Sequence, residues 1–240
     1  MKLLSVNVGL PREIEWQGKR VRTSIFKSAS AGHVRVMTLN AEGDEQSDLS
    51  VHGGVHKAVY AYPSEHYPFW REEVPGVDLP LGTFGENFTT EGLFEEAVHI
   101  GDRFRVGSAE FIVTQPRLPC FKLGIRFDRP EMVKRFLRSG RTGFYLAVLE
   151  EGLVTPGDSI ELLARDERRY RGRYREFIHG GRDKPRPLAK GERITRASHR
   201  LARPLSQAPL EPGYLSFRNA GCAKHHGDSD RGFIANKGVT

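Results

Sequence analysis

The chain has 240 residues, of which 38% are hydrophobic and 28% charged, with two cysteines and a formal net charge of +7. That length can bury a full core without covalent staples, no run approaches the roughly 18 to 20 consecutive apolar residues of a membrane helix, and two cysteines are too few for a disulfide framework. The charge is uneven: residues 1–165 carry 20 basic and 22 acidic side chains, whereas residues 166–240 carry 17 and 8. The basic character therefore belongs to the last third and does not mark the whole chain as a nucleic-acid binder.

In chain order, short alternating segments at 2–9, 20–26, 33–39, 57–62, 97–106, 109–115, 143–149 and 158–163 read as strands, a pattern that favours a barrel or sandwich over βα units. The opening Met1–Gly9 alternates like a strand and carries no long apolar run with a cleavage site, so a cytoplasmic protein is expected. Gly107-Ser108, between two alternating runs, predicts a hairpin. Two segments read as helices. Residues 63–74 offer Ser64 as a cap with Pro68 in the first turn, and residues 129–140 place Pro130 early, Met132, Val133, Phe136 and Leu137 at helical spacing, and Gly140 as the stop. From about residue 166 the composition turns to Arg, Pro, Gly and Ser without a sustained period, which predicts a largely disordered basic tail.

Few segments carry chemistry. In Gln115-Pro116-Arg117-Leu118-Pro119-Cys120-Phe121-Lys122, two prolines stiffen the exit from a strand and two cations flank the cysteine. Such neighbours stabilise the thiolate, the form that binds soft metals, although a free cysteine is also a common inert core residue. In His52-Gly53-Gly54-Val55-His56-Lys57, paired glycines and a lysine suit a phosphate cradle or a plain turn. Asn87, in Phe84-Gly85-Glu86-Asn87-Phe88, offers both donor and acceptor to a heterocycle. Arg141 and Tyr145 place a cation and a phenol at the start of a strand, as ligand contacts or as a surface arginine and a core tyrosine. Cys222 with His225 and His226 has ligand-like spacing but no second pair of ligands.

Taken together and in order, these segments resemble the MOSC family, named after the C-terminal domain of molybdenum-cofactor sulfurases, and within it the bacterial branch that includes 6-N-hydroxylaminopurine reductases. The resemblance rests on residues 4–9, 48–54, 57–63 and 84–88, on Gly101-Asp102, on Thr114 to Arg117 with Pro119-Cys120, and on Gly143-Phe144-Tyr145. It implies a mainly β fold for residues 1–165, a MOSC-type β-barrel with a few short helices. It further implies a molybdenum–molybdopterin cofactor held by the Cys120 thiolate. Asn87, Thr114 and Arg117 then contact the pterin or its phosphate, Gly53, Gly54, Lys57 and Arg141 add to that binding, and His52 and Tyr145 line the cavity as proton donors. The implied activity is reduction of N-hydroxylated compounds to amine and water. With no flavin, haem or iron–sulfur motif in the chain, the electrons come from a separate flavin-dependent protein.

Two other roles fit the same residues: a cofactor or sulfur carrier with a Cys120 persulfide, and a non-catalytic anion-binding module. Residues 166–240 depart from the small three-helix domain usual in this branch. One expectation is a shift of reading frame near residues 166–168, since favourable codons read one nucleotide later can spell an amphipathic helical string. The alternative is a genuine basic arm that touches nucleic acid or acidic partners.

Overall fold

The computed structural model describes residues 1–47 and 53–166. His52, the 48–51 segment, and the stretch from residue 167 with Cys222, His225 and His226 lie outside the described residues, as does the expectation of a disordered tail.

The first half supplies β1 (Lys2–Val8), β2 (Arg12–Trp16), β3 (Lys19–Thr23), β4 (Ser28–Ala29), β5 (Val34–Val36), β6 (Val59–Pro63), α1 (Tyr67–Glu73) and β7 (Phe88–Glu91). The second supplies β8 (Arg103–Val106), β9 (Ala109–Pro116), α2 (Phe121–Phe127), α3 (Met132–Ser139), β10 (Phe144–Glu150), β11 (Gly152–Val154) and β12 (Ile160–Ala164). Short 3-10 turns at Val55–Lys57 and Ser64–His66 lead into β6 and α1.

Eight strands form one sheet in the order β12-β8-β9-β10-β6-β7-β1-β4, antiparallel except for the β6 and β7 pair. Its flanks meet at the start of β1. There Leu3 N donates to Asp158 O (2.9 Å), Gly157 N to Leu3 O (2.7 Å) and Ile160 N to Met1 O (2.9 Å). The ladder is not continuous around the circuit, because farther along β1 the same edge passes to β4 through Asn7 and Val8. The fold is the expected mainly β one, a curled sheet with a partial seam.

Strand periodicity explains how the centre of the sheet is buried on both faces. Alternate residues of a strand point opposite ways, and all of β6 is buried. Val59 and Ala61 join the core inside the curl with Leu3, Val6, Phe88, Phe104, Phe111 and Leu146. Tyr60 and Tyr62 point the other way, into a second core under the helices with Trp70, Phe84, Leu123, Met132 and Phe136. The functional residues lie on that second side.

Several boundaries differ from the sequence reading, each for a local reason. The expected strand 97–106 starts only at Arg103, because Asp102 Oδ2 accepts from His99 N (2.9 Å) and Gly101 takes φ +98°, closing a turn. The 20–26 strand ends at Thr23, whose Oγ1 accepts from Ile25 N (3.2 Å). The 33–39 strand stops at Val36, where Met37 N turns back to Asn40 O (2.8 Å). Ser64 makes no capping bond, while Pro68 does lie in the first turn of α1. The β2–β3 hairpin was not expected; Gln17 and Gly18 both take positive φ (51° and 71°), the geometry of a two-residue hairpin turn. Nor was α2, whose Gly124 packs where a Cβ would come within 3.2 Å of Arg129 O and Pro130 Cα. The Gly107-Ser108 hairpin and the Gly140 stop of α3 both form.

Candidate cofactor site around Cys120

Cys120 sits between the end of β9 and the first residue of α2. Arg117 N continues the β9–β10 pairing by donating to Gly143 O (3.1 Å), and the chain then runs extended to Cys120, whose carbonyl accepts from Leu123 N (3.0 Å). Pro119 fixes its own φ and keeps Leu118 out of the helical region, so the turn into α2 is held at Cys120. The thiol is free and half-buried.

Beside it, the Arg117 side chain is 6% exposed, with its guanidinium 4.7 Å from the Tyr60 ring centroid and 5.3 Å from that of Phe136. Burial lowers its pKa, but Tyr60, Tyr145, Cys120 and Tyr62 together outweigh that and the net direction is upward, so the cation is permanent. Its Nη1 is buried with no hydrogen-bond partner. Tyr145 completes the group, its ring 5.5 Å from Tyr60. Burial pushes the Tyr145 phenol up and Cys120 adds to the rise, while the charge and hydrogen bond of Arg117 oppose it. Thiol, guanidinium and phenol thus form one electrostatically coupled cluster.

The other expected residues are placed differently. The Thr114 hydroxyl faces two carbonyls, His56 O (2.6 Å) and Tyr145 O (3.0 Å), and ties the 55–57 turn to β10. Asn87 is bonded within the fold: its Oδ1 accepts from Tyr60 N (3.1 Å), and its Nδ2 donates to Asp44 Oδ2 (2.8 Å) and Asn7 O (3.3 Å). Gly54 takes φ +89°, and among the described residues a Cβ there would meet nothing within 4 Å. Gly53, half-exposed, precedes it, and Lys57 closes the turn by donating its N–H to Gly54 O (2.9 Å). Arg141 turns toward α1, its guanidinium 4.1 Å from the Phe69 ring centroid. The structure therefore brings Cys120, Arg117 and Tyr145 together, with Thr114 behind Tyr145, and does not bring Arg141 into that group.

Sequence reading missed the supports. Tyr60 and Phe136 provide the faces on which Arg117 lies, and as aromatics in a strand and a helix they read only as core. Buried Glu95 accepts from His66 Nε2 (2.8 Å) and from Gly143 N (2.8 Å), holding the turn whose carbonyl receives Arg117 N. No motif surrounds Glu95 to mark it. Lys27 and Asp44 form a buried ion pair next to Asn87; burial lowers the Lys27 pKa and Asp44 raises it, with a net lowering. Among the described residues, no three His, Cys, Asp or Glu side chains gather as a metal-ligand set. None of their helices is long and apolar enough to cross a membrane.

Comparison with known proteins gives concordant results. The family model of the MOSC domain matches residues 48–161. The chain is 49% identical over 166 residues to the uncharacterized protein YflK of Bacillus subtilis, covering 69% of this chain and 75% of that one. It is 40% identical over 151 residues to a protein of Gibberella moniliformis named Reductase, covering 62% of this chain but 27% of that longer one. The crystal structure of YiiM from Geobacillus stearothermophilus superposes with a TM-score of 0.61 at 34% identity, covering 74% of this chain and 84% of that one.

Proposed function

The chain belongs to the MOSC domain family, in its YiiM-like branch, and on that premise we propose that it is a molybdenum-cofactor-dependent reductase of N-hydroxylated compounds. The family supports a role tied to the molybdenum cofactor, and the likeness to a protein named Reductase supports oxidoreductase chemistry. The observation that carries the proposal is the half-buried free thiol of Cys120 beside a buried arginine with an unfilled donor.

Those residues fit the group. A thiolate is the soft ligand that molybdenum favours, and the adjacent guanidinium stabilises the ionised sulfur. The Arg117 Nη1 lacks an acceptor, and a buried donor left unbonded is costly, so an oxygen or nitrogen of the cofactor satisfies it. The Gly53-Gly54 backbone, with Lys57, takes the cofactor phosphate. When bound, the cofactor supplies the two electrons that cleave an N–O bond to amine and water.

The remaining residues bind, orient and move protons. Tyr145, its phenol held protonated by burial, keeps a proton next to Arg117 and Cys120. His52 is proposed as a second proton carrier. Thr114 and Asn87 act through the backbone, the first holding the 55–57 turn against β10, the second holding Tyr60 under Arg117. Arg141 is assigned to the margin, where it braces the turn before β10. Electrons are proposed to arrive from a separate flavin-dependent protein.

The test is turnover. Protein co-produced with the cofactor pathway and given a reduced viologen is expected to convert an N-hydroxylated purine to the amine. Molybdenum-loaded protein that leaves the substrate untouched with both viologen and a flavoprotein donor overturns the proposal.

A further inference from the structure

A second unfinished polar cluster lies at the other end of α2. Arg12, on β2, places its guanidinium 3.6 Å from the Phe26 ring centroid, and Arg126, in the last turn of α2, places its own 5.5 Å from the same ring. The ion pairs among the described residues involve Arg22, Lys27, Arg35, His66, Arg103, Arg105, Arg135 and Arg165, and neither of these two arginines. Arg126 has one long hydrogen bond, Nη2 to Thr83 Oγ1 at 3.4 Å, and its Nε is buried with no partner. In the same 24–27 segment as Phe26, the Ser24 hydroxyl is also buried and unbonded.

Two like charges on one ring repel, and the Arg126 pKa is lowered first by burial and then by Arg12. Tyr67, Glu86 and Asp78 pull the other way, with both carboxylates beyond ion-pair distance. A fold that seats two guanidinium groups against one ring, outside any ion pair among the described residues and with the Arg126 Nε unbonded, is complementary to a compact dianion. Guanidinium groups bind phosphate through paired N–H···O bonds, and two of them match its two charges.

We infer that Arg12 and Arg126, braced on Phe26, form a binding site for the phosphate group of a phosphate monoester. The inference does not rest on the metal reading. Cys120 precedes α2 and Arg126 closes it, a separation of roughly 9 Å along the axis at 1.5 Å per residue. Lys122 lies one turn before Arg126 on the same face and donates to Ser47 Oγ (2.7 Å). An elongated organic phosphate anchored at the arginine pair extends along this face.

The experiment titrates the full chain with inorganic phosphate at constant ionic strength, read by calorimetry. Saturable binding is expected, weakened at least tenfold by Arg12→Gln and by Arg126→Gln and unchanged by Arg20→Gln, an exposed arginine on the same hairpin. Arg12 is itself exposed, so its variant tests the site without disturbing the core. No saturable binding, wild-type affinity in the Arg12 and Arg126 variants, or an equal loss in the Arg20 variant overturns the inference. Pterin content of Arg12→Gln protein made with the cofactor pathway separates the sources. Loss of pterin makes the arginine pair, in place of the Gly53-Gly54 turn, the anchor of the cofactor phosphate, and full pterin with weakened phosphate binding makes it the anchor for a phosphorylated small molecule.

Discussion

Arg117 and Asn87 are both buried polar side chains on the helical side of the sheet, and they differ in what is left over. Every hydrogen-bonding group that Asn87 directs inward has a partner in Tyr60, Asp44 or Asn7, and the network runs on: Asn7 Nδ2 donates to Thr89 Oγ1 (3.0 Å), and Thr89 Oγ1 to Glu86 Oε1 (3.0 Å). Arg117 lies on two rings and keeps one nitrogen unbonded. A completed network rigidifies a fold, whereas an incomplete one in the same low-dielectric surroundings awaits a ligand. The contrast separates residues that shape the site from residues that face its occupant.

The comparison breaks first at the sulfur. Cys120→Ala is expected to weaken molybdenum retention by about a hundredfold or more, since loss of even an outer-shell partner costs about 10–100-fold in metal affinity, with little change in Tm because the thiol is half-buried. Elemental analysis beside thermal denaturation checks both, and full metal in the variant ends the ligand assignment. Next comes the completed network. Asn87→Ala removes the side-chain acceptor of Tyr60 N–H and one donor to Asp44, at a cost of about 2–4 kcal/mol in urea unfolding; a variant of wild-type stability that loses only cofactor would instead place Asn87 with Arg117. Arg117→Lys keeps the charge but loses the planar fork, and a roughly tenfold weaker retention of pterin is expected on dialysis.

The smallest effect is a slope with pH. Glu86 is fully buried, and burial raises its pKa above the ordinary 4.5 despite donors from Tyr67, Gly82 N, Phe84 N and Thr89. The folded chain therefore holds this proton more tightly than the unfolded one. Its contribution is full below the ordinary value and is lost as pH rises through the folded value, with a limiting slope of about 1.4 kcal/mol for each step of one in pH. Urea midpoints measured across that range should fall less steeply for Glu86→Gln than for the wild type, and parallel curves would remove Glu86 as the cause.

Much of the sheet was legible because the strand-like runs in the sequence coincide with β1, β9 and β10, although burial on both faces keeps their exposure from alternating. What escaped was set by distant contacts. Phe121–Phe127 reads as loop after Pro119-Cys120, and its helix depends on Gly124 meeting residues 129–130. Likewise β2 carries charges on both sides of Ile14 and is defined by its hairpin partner. At the site, Cys120, Arg117 and Tyr145 announced themselves by residue type, but the tertiary fold decides which buried polar atoms remain unbonded. That is why Asn87 and Arg117 looked alike in the sequence, and why Arg12 and Arg126, on β2 and α2, gave no joint signal.

The seam between Leu3 and Asp158 sets the order of biogenesis. β1 keeps half of one edge unpaired until residues 157–160, more than 150 residues farther along the chain, are made, and such long-range closure is slow to form. The circuit therefore completes only as residues 157–160 leave the ribosome, and a fragment released earlier exposes an apolar strand edge suited to aggregation.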